Sequence, residues 1–289
     1  MLRIALPSKG RLATGALELL AHAGLASEPT AERALQASLG NGELLALFMR
    51  ARDIPELVAD GAADVGITGR DLLEESGRRL DVVLDLLFGR CRLAVAVRED
   101  AAAESVADLP PGTRVATTFP RLARRHFRDR GREVVLVPLS GAAEIAPHLG
   151  VADAIVDLVS TGSTLRTNGL RELEPVLEST ALLVARPQLA ASPAGACDLG
   201  CLAAALESVL RARDRRYLMA NVPRARLAET RRILPGITGP TVVDLLDHDG
   251  GHVAVHAVVD QRAIYRTIAE LKGIGAEGIL VTRIERLTP

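Results

Sequence analysis

The sequence predicts an α/β protein in which two lobes surround a crevice and a small C-terminal domain follows. Short apolar segments alternate with helical patterns as far as residue 185, which is typical of parallel strands covered by helices. The rhythm of the segments changes near Tyr217. The chain has 289 residues, more than one hydrophobic core usually organises. We therefore expect a first lobe at residues 1–91 and 186–213, a second lobe at 92–185, and a C-terminal domain at 214–289.

The first lobe is predicted from apolar runs separated by helix signals. Helical spacing over residues 12–23 stops at Gly24, and a helix over 54–60 is opened by Asp53 and Pro55, as capped helices often are. The strands that we expect around these helices cover residues 2–6, 44–48, 64–68 and 82–87.

The second lobe repeats this alternation. Two helices are predicted, at residues 121–130 and 142–148. The strands predicted in this lobe cover residues 93–97, 114–117, 133–138, 154–159 and 181–185. Ligands of open α/β sheets bind beyond the carboxyl ends of strands, so the crevice is the expected site.

The C-terminal domain follows an arginine-rich segment at residues 211–216. Its predicted elements are a strand at 217–222, a helix at 225–234, strands at 241–246 and 252–259 joined by a hairpin turn at 247–251, a helix at 263–274 and a strand at 278–284. The order βαββαβ is the ferredoxin-like unit.

Composition and charge exclude several classes of protein. The chain carries 35 basic and 36 acidic residues, a formal net charge of −1, which argues against a nucleic-acid or membrane-surface binder. Its three cysteines cannot form a closed disulfide framework, and the Cys197/Cys201 pair has no second ligand pair for a metal. The first apolar segment is too short for a signal peptide, and no later run approaches the ~18 apolar residues of a membrane span. We expect a soluble, cytoplasmic protein.

A loop of small residues follows the predicted strand at 154–159. Ser160, Thr161, Gly162, Ser163 and Thr164 stand between that strand and a helix start. Converging backbone N–H groups, hydroxyl donors and the positive end of a helix are suited to a phosphate. Asp157 precedes the loop and is expected to face sugar hydroxyls or a divalent cation. The alternative is that Thr161 or Ser163 simply caps a helix.

The stretch that runs from Glu144 through Asp157 to Leu165 resembles the signature of ATP phosphoribosyltransferases, the enzymes that open histidine biosynthesis. Further segments agree with that family: PSKGRL at 7–12, RARDIP at 50–55, DVGITGRD at 64–71 and ATTFP at 116–120. The family usually has Tyr where this chain has Phe119, so a hydroxyl is not essential there. The resemblance covers essentially the full length. It implies a two-lobed core like that of periplasmic binding proteins and a C-terminal histidine-sensing domain.

The resemblance also implies a reaction. N1 of ATP attacks C1 of phosphoribosyl pyrophosphate and releases pyrophosphate, and Mg²⁺ accompanies the pyrophosphate. Glu144 and Asp157 would be the catalytic acids and would share the Mg²⁺ with substrate, and residues 160–164 would hold the 5′-phosphate. The residues expected to meet ATP phosphates or pyrophosphate are Lys9, Arg11, Arg50 and Arg52, and Asp71 would lie near the nucleotide. The alternative for each arginine alone is a solvated surface charge, and for Glu144 a carboxylate at a helix start.

Regulation and assembly follow from the resemblance as well. The family suggests a dimer that builds to a hexamer, with free histidine as inhibitor bound between C-terminal domains. Thr241, Gly275 and Ala276 would supply its partners. The alternative, which the sequence alone favours, is that Thr241 is an ordinary strand residue and Gly275 an ordinary helix stop. One competing function is a two-lobed solute-binding protein, which would need a secretory signal. The other is a protein that binds phosphoribosyl pyrophosphate without turnover, which the Glu144/Asp157 pair argues against.

Overall fold

The computed structural model describes residues 1–26, 34–246 and 251–288. The chain divides into two compact units, Met1–Ala203 and Ala204–Pro289. The first unit and the helix that leaves it contain eleven strands and six helices in the described residues. The strands are β1 (Leu2–Pro7), β2 (Gln36–Leu39), β3 (Leu44–Met49), β4 (Val65–Gly69), β5 (Asp81–Asp85), β6 (Cys91–Arg98), β7 (Thr113–Thr117), β8 (Val134–Pro138), β9 (Ala154–Val159), β10 (Leu170–Ser179) and β11 (Ala181–Ala185). The helices are α1 (Arg11–His22), α2 (Ile54–Ala59), α3 (Arg70–Ser76), α4 (Pro120–Asp129), α5 (Ser163–Thr167) and α6 (Pro193–Ala212).

Sheet A has six strands in the order β2-β3-β1-β4-β11-β5. Its centre is parallel, with β1 between β3 and β4, and the other pairings are antiparallel. Strand β1 is almost continuously apolar because both of its faces are covered. Helix α2 packs close to the sheet at Gly66, where a Cβ would lie 2.5 Å from Ile54. The parallel strands end at one edge, so the loops after β1, β3 and β4 lie together there.

Sheet B has five strands in the order β10-β6-β9-β7-β8. Strand β9 is parallel to β7 and antiparallel to β6. The carboxyl ends of β7 and β9 therefore share an edge, and the segments that follow Thr117 and Val159 are neighbours. The aliphatic core below them includes Leu93, Val115 and Val156, with Phe127 from α4.

Several features of the first unit differ from the sequence prediction, among them the unpredicted strand β2 and helix α3. Strand β11 was expected to close the second lobe, but it pairs with β4 and β5 in sheet A. Residues 142–148 do not form the predicted α-helix; only a 3₁₀ turn over Ala143–Ile145 is present, because Pro147 has no N–H for the carbonyl of Ala143. Strand β10, which carries several charged side chains and Pro175, was not predicted. It is an edge strand with two register shifts, where proline is tolerated.

The second unit confirms the βαββαβ order. Its elements are β12 (Arg215–Pro223), α7 (Leu227–Ile233), β13 (Thr241–Asp244), β14 (His252–Asp260), α8 (Ile264–Gly273) and β15 (Glu277–Arg283). They form sheet C, which is antiparallel in the order β13-β14-β12-β15. Burial alternates along β12 and β14, as expected for a sheet with helices on one face. The hairpin turn predicted at 247–251 falls mainly outside the described residues. The predicted fold class, a two-sheet α/β core followed by a ferredoxin-like unit, is confirmed.

Helix α6 was not anticipated. It has 20 residues and a mean hydropathy of 1.3, so by length and composition alone it is long enough and apolar enough to cross a membrane. A single helix of this kind is weak evidence for a membrane span, because the core helix of a globular protein has the same length and composition. Its buried residues Leu202, Leu206 and Val209 recur at helical spacing, the pattern of a helix that packs on one face.

Candidate active site

A polar cavity of about 260 Å³ lies at the carboxyl end of β9. Glu144 and the continuous segment 157–165 line it. The structure therefore brings together the predicted acids and every residue of the predicted phosphate loop. Inside the loop, the hydroxyls of Thr161 and Ser163 hydrogen-bond to each other at 2.9 Å, and either one can be the donor, so one hydroxyl proton is left for a ligand.

Gly162 gives the loop its shape. Its φ of 75° lies in the left-handed region, which glycine adopts without steric cost. Gly162 also caps α5, whose first backbone bond runs from Arg166 N to Gly162 O at 3.1 Å. A Cβ at this position would lie 3.2 Å from Nη1 of Arg166. The guanidinium of Arg166 thus lies beside the loop and adds a positive charge that the sequence analysis missed. The available signal was its spacing, four residues after Gly162 on a helix.

The two acids differ in their surroundings. Asp157 is half-buried at the end of β9 and accepts a 2.7 Å hydrogen bond from Leu158 N. Burial raises the pKa of Asp157 above its ordinary value, the bond from Leu158 opposes that rise, and the charge of Glu144 adds to it. Glu144 lies in the 3₁₀ turn, which Ala142 enters with a positive φ of 49°. Each carboxylate disfavours the negative charge of the other, so a cation or sugar hydroxyls that bind to both would stabilise both charges.

The donor set suits a magnesium ion that is held mostly by substrate. In the part of the chain that the structure describes, no cluster of three or more His, Cys, Asp or Glu side chains could hold a metal. Mg²⁺ commonly takes one or two carboxylates and completes its shell with phosphate oxygens and water. Glu144 and Asp157 match that requirement.

The loop after β7 lies next to the carboxyl end of β9, because the two strands are parallel neighbours. The sequence marked this loop only as a segment that resembles the family. Thr117 is buried; its hydroxyl donates to Val156 O at 2.7 Å and accepts from Phe119 N at 2.9 Å. Arg52 extends from the sheet A side, donates to Thr118 O at 2.8 Å and places its guanidinium carbon 5.8 Å from the centre of the Phe119 ring. Arg52 therefore connects the two sheets across the crevice, where the sequence predicted a phosphate contact.

The other predicted basic residues lie at the carboxyl edge of sheet A. Lys9 and Arg50 are exposed in the loops after β1 and β3, which a hydrogen bond from Ser8 N to Met49 O joins at 2.8 Å. Both side chains are accessible from the crevice edge of sheet A, and their contact with a polyanion stays a prediction.

Arg11 and Asp71 are each other's partners. Nη2 of Arg11 lies 3.2 Å from both carboxylate oxygens of Asp71, and Nη1 donates to Gly89 O. Asp71 is fully buried and also accepts a 2.5 Å bond from the hydroxyl of Ser179. In this conformation the pair fixes the start of α1 against the start of α3. From the sequence, Arg11 was predicted to meet ATP phosphates or pyrophosphate and Asp71 to lie near the nucleotide.

The predicted regulatory residues lie in the second unit. Thr241 is exposed and opens the edge strand β13, opposite His256. Gly275 has a φ of 85° and ends α8, and Ala276 donates to Leu271 O at 3.0 Å just before β15. Strands β13 and β15 are the opposite edges of sheet C, so the two groups of residues are separated within one chain.

Comparison with known proteins agrees with this geometry. Residues 50–206 match the family model of ATP phosphoribosyltransferase (HisG), and residues 212–286 match that of the HisG C-terminal domain. ATP phosphoribosyltransferases of Gemmatimonas aurantiaca and Halorubrum lacusprofundi are 58% and 47% identical to this chain; the first alignment covers 100% of both chains and the second 99% of both. A solved structure of the ATP phosphoribosyl transferase (HisG:HisZ) complex from Thermotoga maritima superposes with a TM-score of 0.62 at 27% identity, over 72% of this chain and 99% of that one. The signature loop, the two-sheet core, the C-terminal unit and these relatives together show that the chain belongs to the ATP phosphoribosyltransferase family.

Proposed function

We propose that this protein transfers the phosphoribosyl group of phosphoribosyl pyrophosphate to N1 of ATP, with release of pyrophosphate. The observation that carries the proposal is the cavity at the end of β9, in which a phosphate-type loop and two carboxylates face one volume. Membership of the family supplies the reaction, and the cavity supplies groups for its two needs, an anion site and a negative environment for a developing cation.

The loop holds the 5′-phosphate in this proposal. Gly162 turns the backbone through its positive φ, and the backbone N–H groups beside it would bind the phosphate together with a hydroxyl of the Thr161/Ser163 pair. The guanidinium of Arg166 balances the charge of the phosphate. These groups anchor the sugar at one end and leave its C1 toward the crevice.

Asp157 and Glu144 act on the sugar. Their oxygens accept from the ribose hydroxyls, and their charge stabilises the oxocarbenium-like centre that forms as pyrophosphate leaves. Mg²⁺, when bound, neutralises the leaving pyrophosphate, and Asp157 and Glu144 would hold it together with substrate oxygens. The rate enhancement then comes from orientation and charge, with no covalent enzyme intermediate.

ATP binds from the sheet A side. Lys9 and Arg50 are exposed at the carboxyl edge and contact the phosphates. Arg52, already close to Phe119, and the Arg11/Asp71 pair border the same edge. Turnover requires these sheet A groups and the phosphate loop of sheet B to hold the two substrates in line.

We further propose that free histidine inhibits the enzyme through the C-terminal unit and that the protein assembles as a dimer that builds to a hexamer. Thr241 and the Gly275–Ala276 turn lie at opposite edges of sheet C, which favours a histidine site completed by a neighbouring copy. A cytoplasmic location fits the three free cysteines, Cys91, Cys197 and Cys201.

The test is pyrophosphate release from ATP, phosphoribosyl pyrophosphate and Mg²⁺, with omission of each component as the control. We expect release only in the complete mixture. Binding of phosphoribosyl pyrophosphate without release would favour a non-catalytic binding protein. A protein that binds neither substrate but retains another small solute would favour a solute-binding function.

A further inference from the structure

One carboxylate connects the two sheets of the first unit at the start of α4. Glu75 lies on α3, which follows the sheet A strand β4. Its Oε1 accepts from Arg121 N at 3.0 Å and its Oε2 accepts from Leu122 N at 2.9 Å. Both donors belong to the first turn of α4, which follows the sheet B strand β7. Glu75 is therefore the N-terminal cap of a helix that lies 45 residues or more away in sequence.

Helix α4 depends on this external cap. The first N–H groups of a helix have no acceptor within the helix. At α4, Phe119 N donates to Thr117 Oγ1, Pro120 has no N–H, and the Phe119 side chain has no oxygen that could cap the rest. The first bond within the helix is made by Ala123 N. The two remaining donors are Arg121 N and Leu122 N, and Glu75 accepts a hydrogen bond from each. The negative charge of Glu75 also lies at the positive end of the helix dipole.

Other contacts of α3 show that the helix is packed on the sheet B side. Leu72 packs against the apolar core of sheet B. The guanidinium of Arg121 lies against Gly77, where a Cβ would come within 2.5 Å of its central carbon. Glu74 forms an ion pair with Arg125 at 3.0 Å, but both side chains are at least one-third exposed. Such an exposed pair contributes little, so Glu75 is the main polar connection here.

The segment that Glu75 secures borders the candidate active site. Thr117 binds Val156 O beside Asp157, and Thr118 O accepts from Arg52 of the sheet A side. At the other end of α3, its second residue Asp71 is the partner of Arg11. Helix α3 thus joins the ATP side of the crevice to the loop next to the carboxylates.

We infer that Glu75 is a positioning residue for phosphoribosyl transfer, because it fixes the separation between the phosphate loop of sheet B and the basic loops of sheet A. This inference rests on the proposed function. The 5′-phosphate site lies wholly on the sheet B side, so binding of phosphoribosyl pyrophosphate alone does not need Glu75. The in-line arrangement of both substrates does, and small misplacements of reacting groups cost large factors in rate.

The experiment compares Glu75→Ala and Glu75→Gln with the matched control Glu74→Ala on the same helix. We expect kcat of Glu75→Ala to fall on the order of 10²-fold, while calorimetric Kd for phosphoribosyl pyrophosphate changes by less than about twofold. Glu75→Gln should recover part of kcat, because its amide oxygen still accepts one of the two N–H groups. Glu74→Ala should have wild-type kcat.

The wild-type enzyme, assayed alongside, separates the two proposals. Absence of pyrophosphate release by the wild type would reject the proposed function. An active wild type with a folded Glu75→Ala variant of equal kcat would reject the positioning role. A parallel fall of kcat and phosphoribosyl pyrophosphate affinity, or an equal loss in Glu74→Ala, would reject it too. If Glu75→Ala does not fold, Glu75→Gln is judged by the same criteria.

Discussion

Substitution of Gly162 by valine is the sharpest test of the phosphate loop. The native φ of 75° costs a residue with a Cβ roughly 1–2 kcal/mol, and a β-branched side chain more. The new Cβ would lie 3.2 Å from Nη1 of Arg166 and 3.9 Å from a methyl of Val159. The guanidinium is the end of a flexible chain and can move, so the steric contact adds little. A loss of about 2–3 kcal/mol is small against the 5–15 kcal/mol that stabilises a typical domain, and the fold survives.

The effect on function is expected to be larger than the effect on stability. The backbone can relieve its strain only by rotating the peptide groups of the loop, whose N–H groups we propose as donors to the 5′-phosphate. We expect calorimetric affinity for phosphoribosyl pyrophosphate to fall strongly and pyrophosphate release to be abolished. Gly131→Val is the matched control, because Gly131 has a similar φ of 65° and no atom within 4 Å of a built Cβ, and it lies at the end of α4. A folded Gly162→Val variant with wild-type affinity, or an equal loss of turnover in Gly131→Val, would show that the loop does not bind the 5′-phosphate.

Three further predictions concern the carboxylate of Asp157, the buried carboxylate of Asp64 and regulation by histidine. Asp157→Asn should raise the activation free energy by about 3 kcal/mol, which lowers kcat roughly 10²-fold. It should also remove the acidic limb of the pH–rate profile, which the raised pKa of the wild-type carboxyl produces. Wild-type rates at ordinary Mg²⁺ would contradict the role of Asp157. Asp64→Asn should lower the free energy of unfolding at neutral pH by about 2 kcal/mol. Burial alone would raise the pKa of Asp64, but hydrogen bonds and charge from Arg3 and the charge of Arg186 hold that pKa below its ordinary 3.8. The stabilisation is therefore complete above the pKa of the unfolded state and is lost as the pH falls through the pKa of the folded state. Urea titrations of the wild type and Asp64→Asn should converge in acid. Thr241→Val should weaken inhibition by histidine in the intact enzyme, and a wild type that ignores millimolar histidine would reject the regulatory proposal.

The sequence could predict the parts of the site that are contiguous. Asp157 and the loop that follows it are adjacent in the chain, so their chemistry and the strand before them place them together. Glu144 was predicted through its spacing in the signature. The α-helix predicted around it was wrong, because Pro147 has no N–H to continue the turn. The sequence of residues 144–165 therefore predicts most of the lining of the cavity at the end of β9.

Pairings between distant residues could not be predicted. Arg11 and Asp71 are 60 residues apart, and a charge at a strand end has the same local pattern whether it meets a ligand or another side chain. Glu75 looks like any exposed acid of a short helix until α4 is placed beside it. Strand β11 was assigned to the wrong sheet for the same reason, since an apolar run of five residues fits any buried strand.

The irregular edge strand β10 has a consequence for the solubility of the protein. An open edge of a sheet offers unpaired N–H and C=O groups to strands of other molecules, and a long, flat edge is a point of aggregation. Strand β10 has ten residues, enough for such pairing. Pro175 lacks an N–H, and register shifts between Glu172 and Glu174 and between Pro175 and Leu177 interrupt the ladder. A foreign strand therefore finds only short stretches with regular spacing, and we expect Pro175→Val to increase aggregation on heating more than it changes activity.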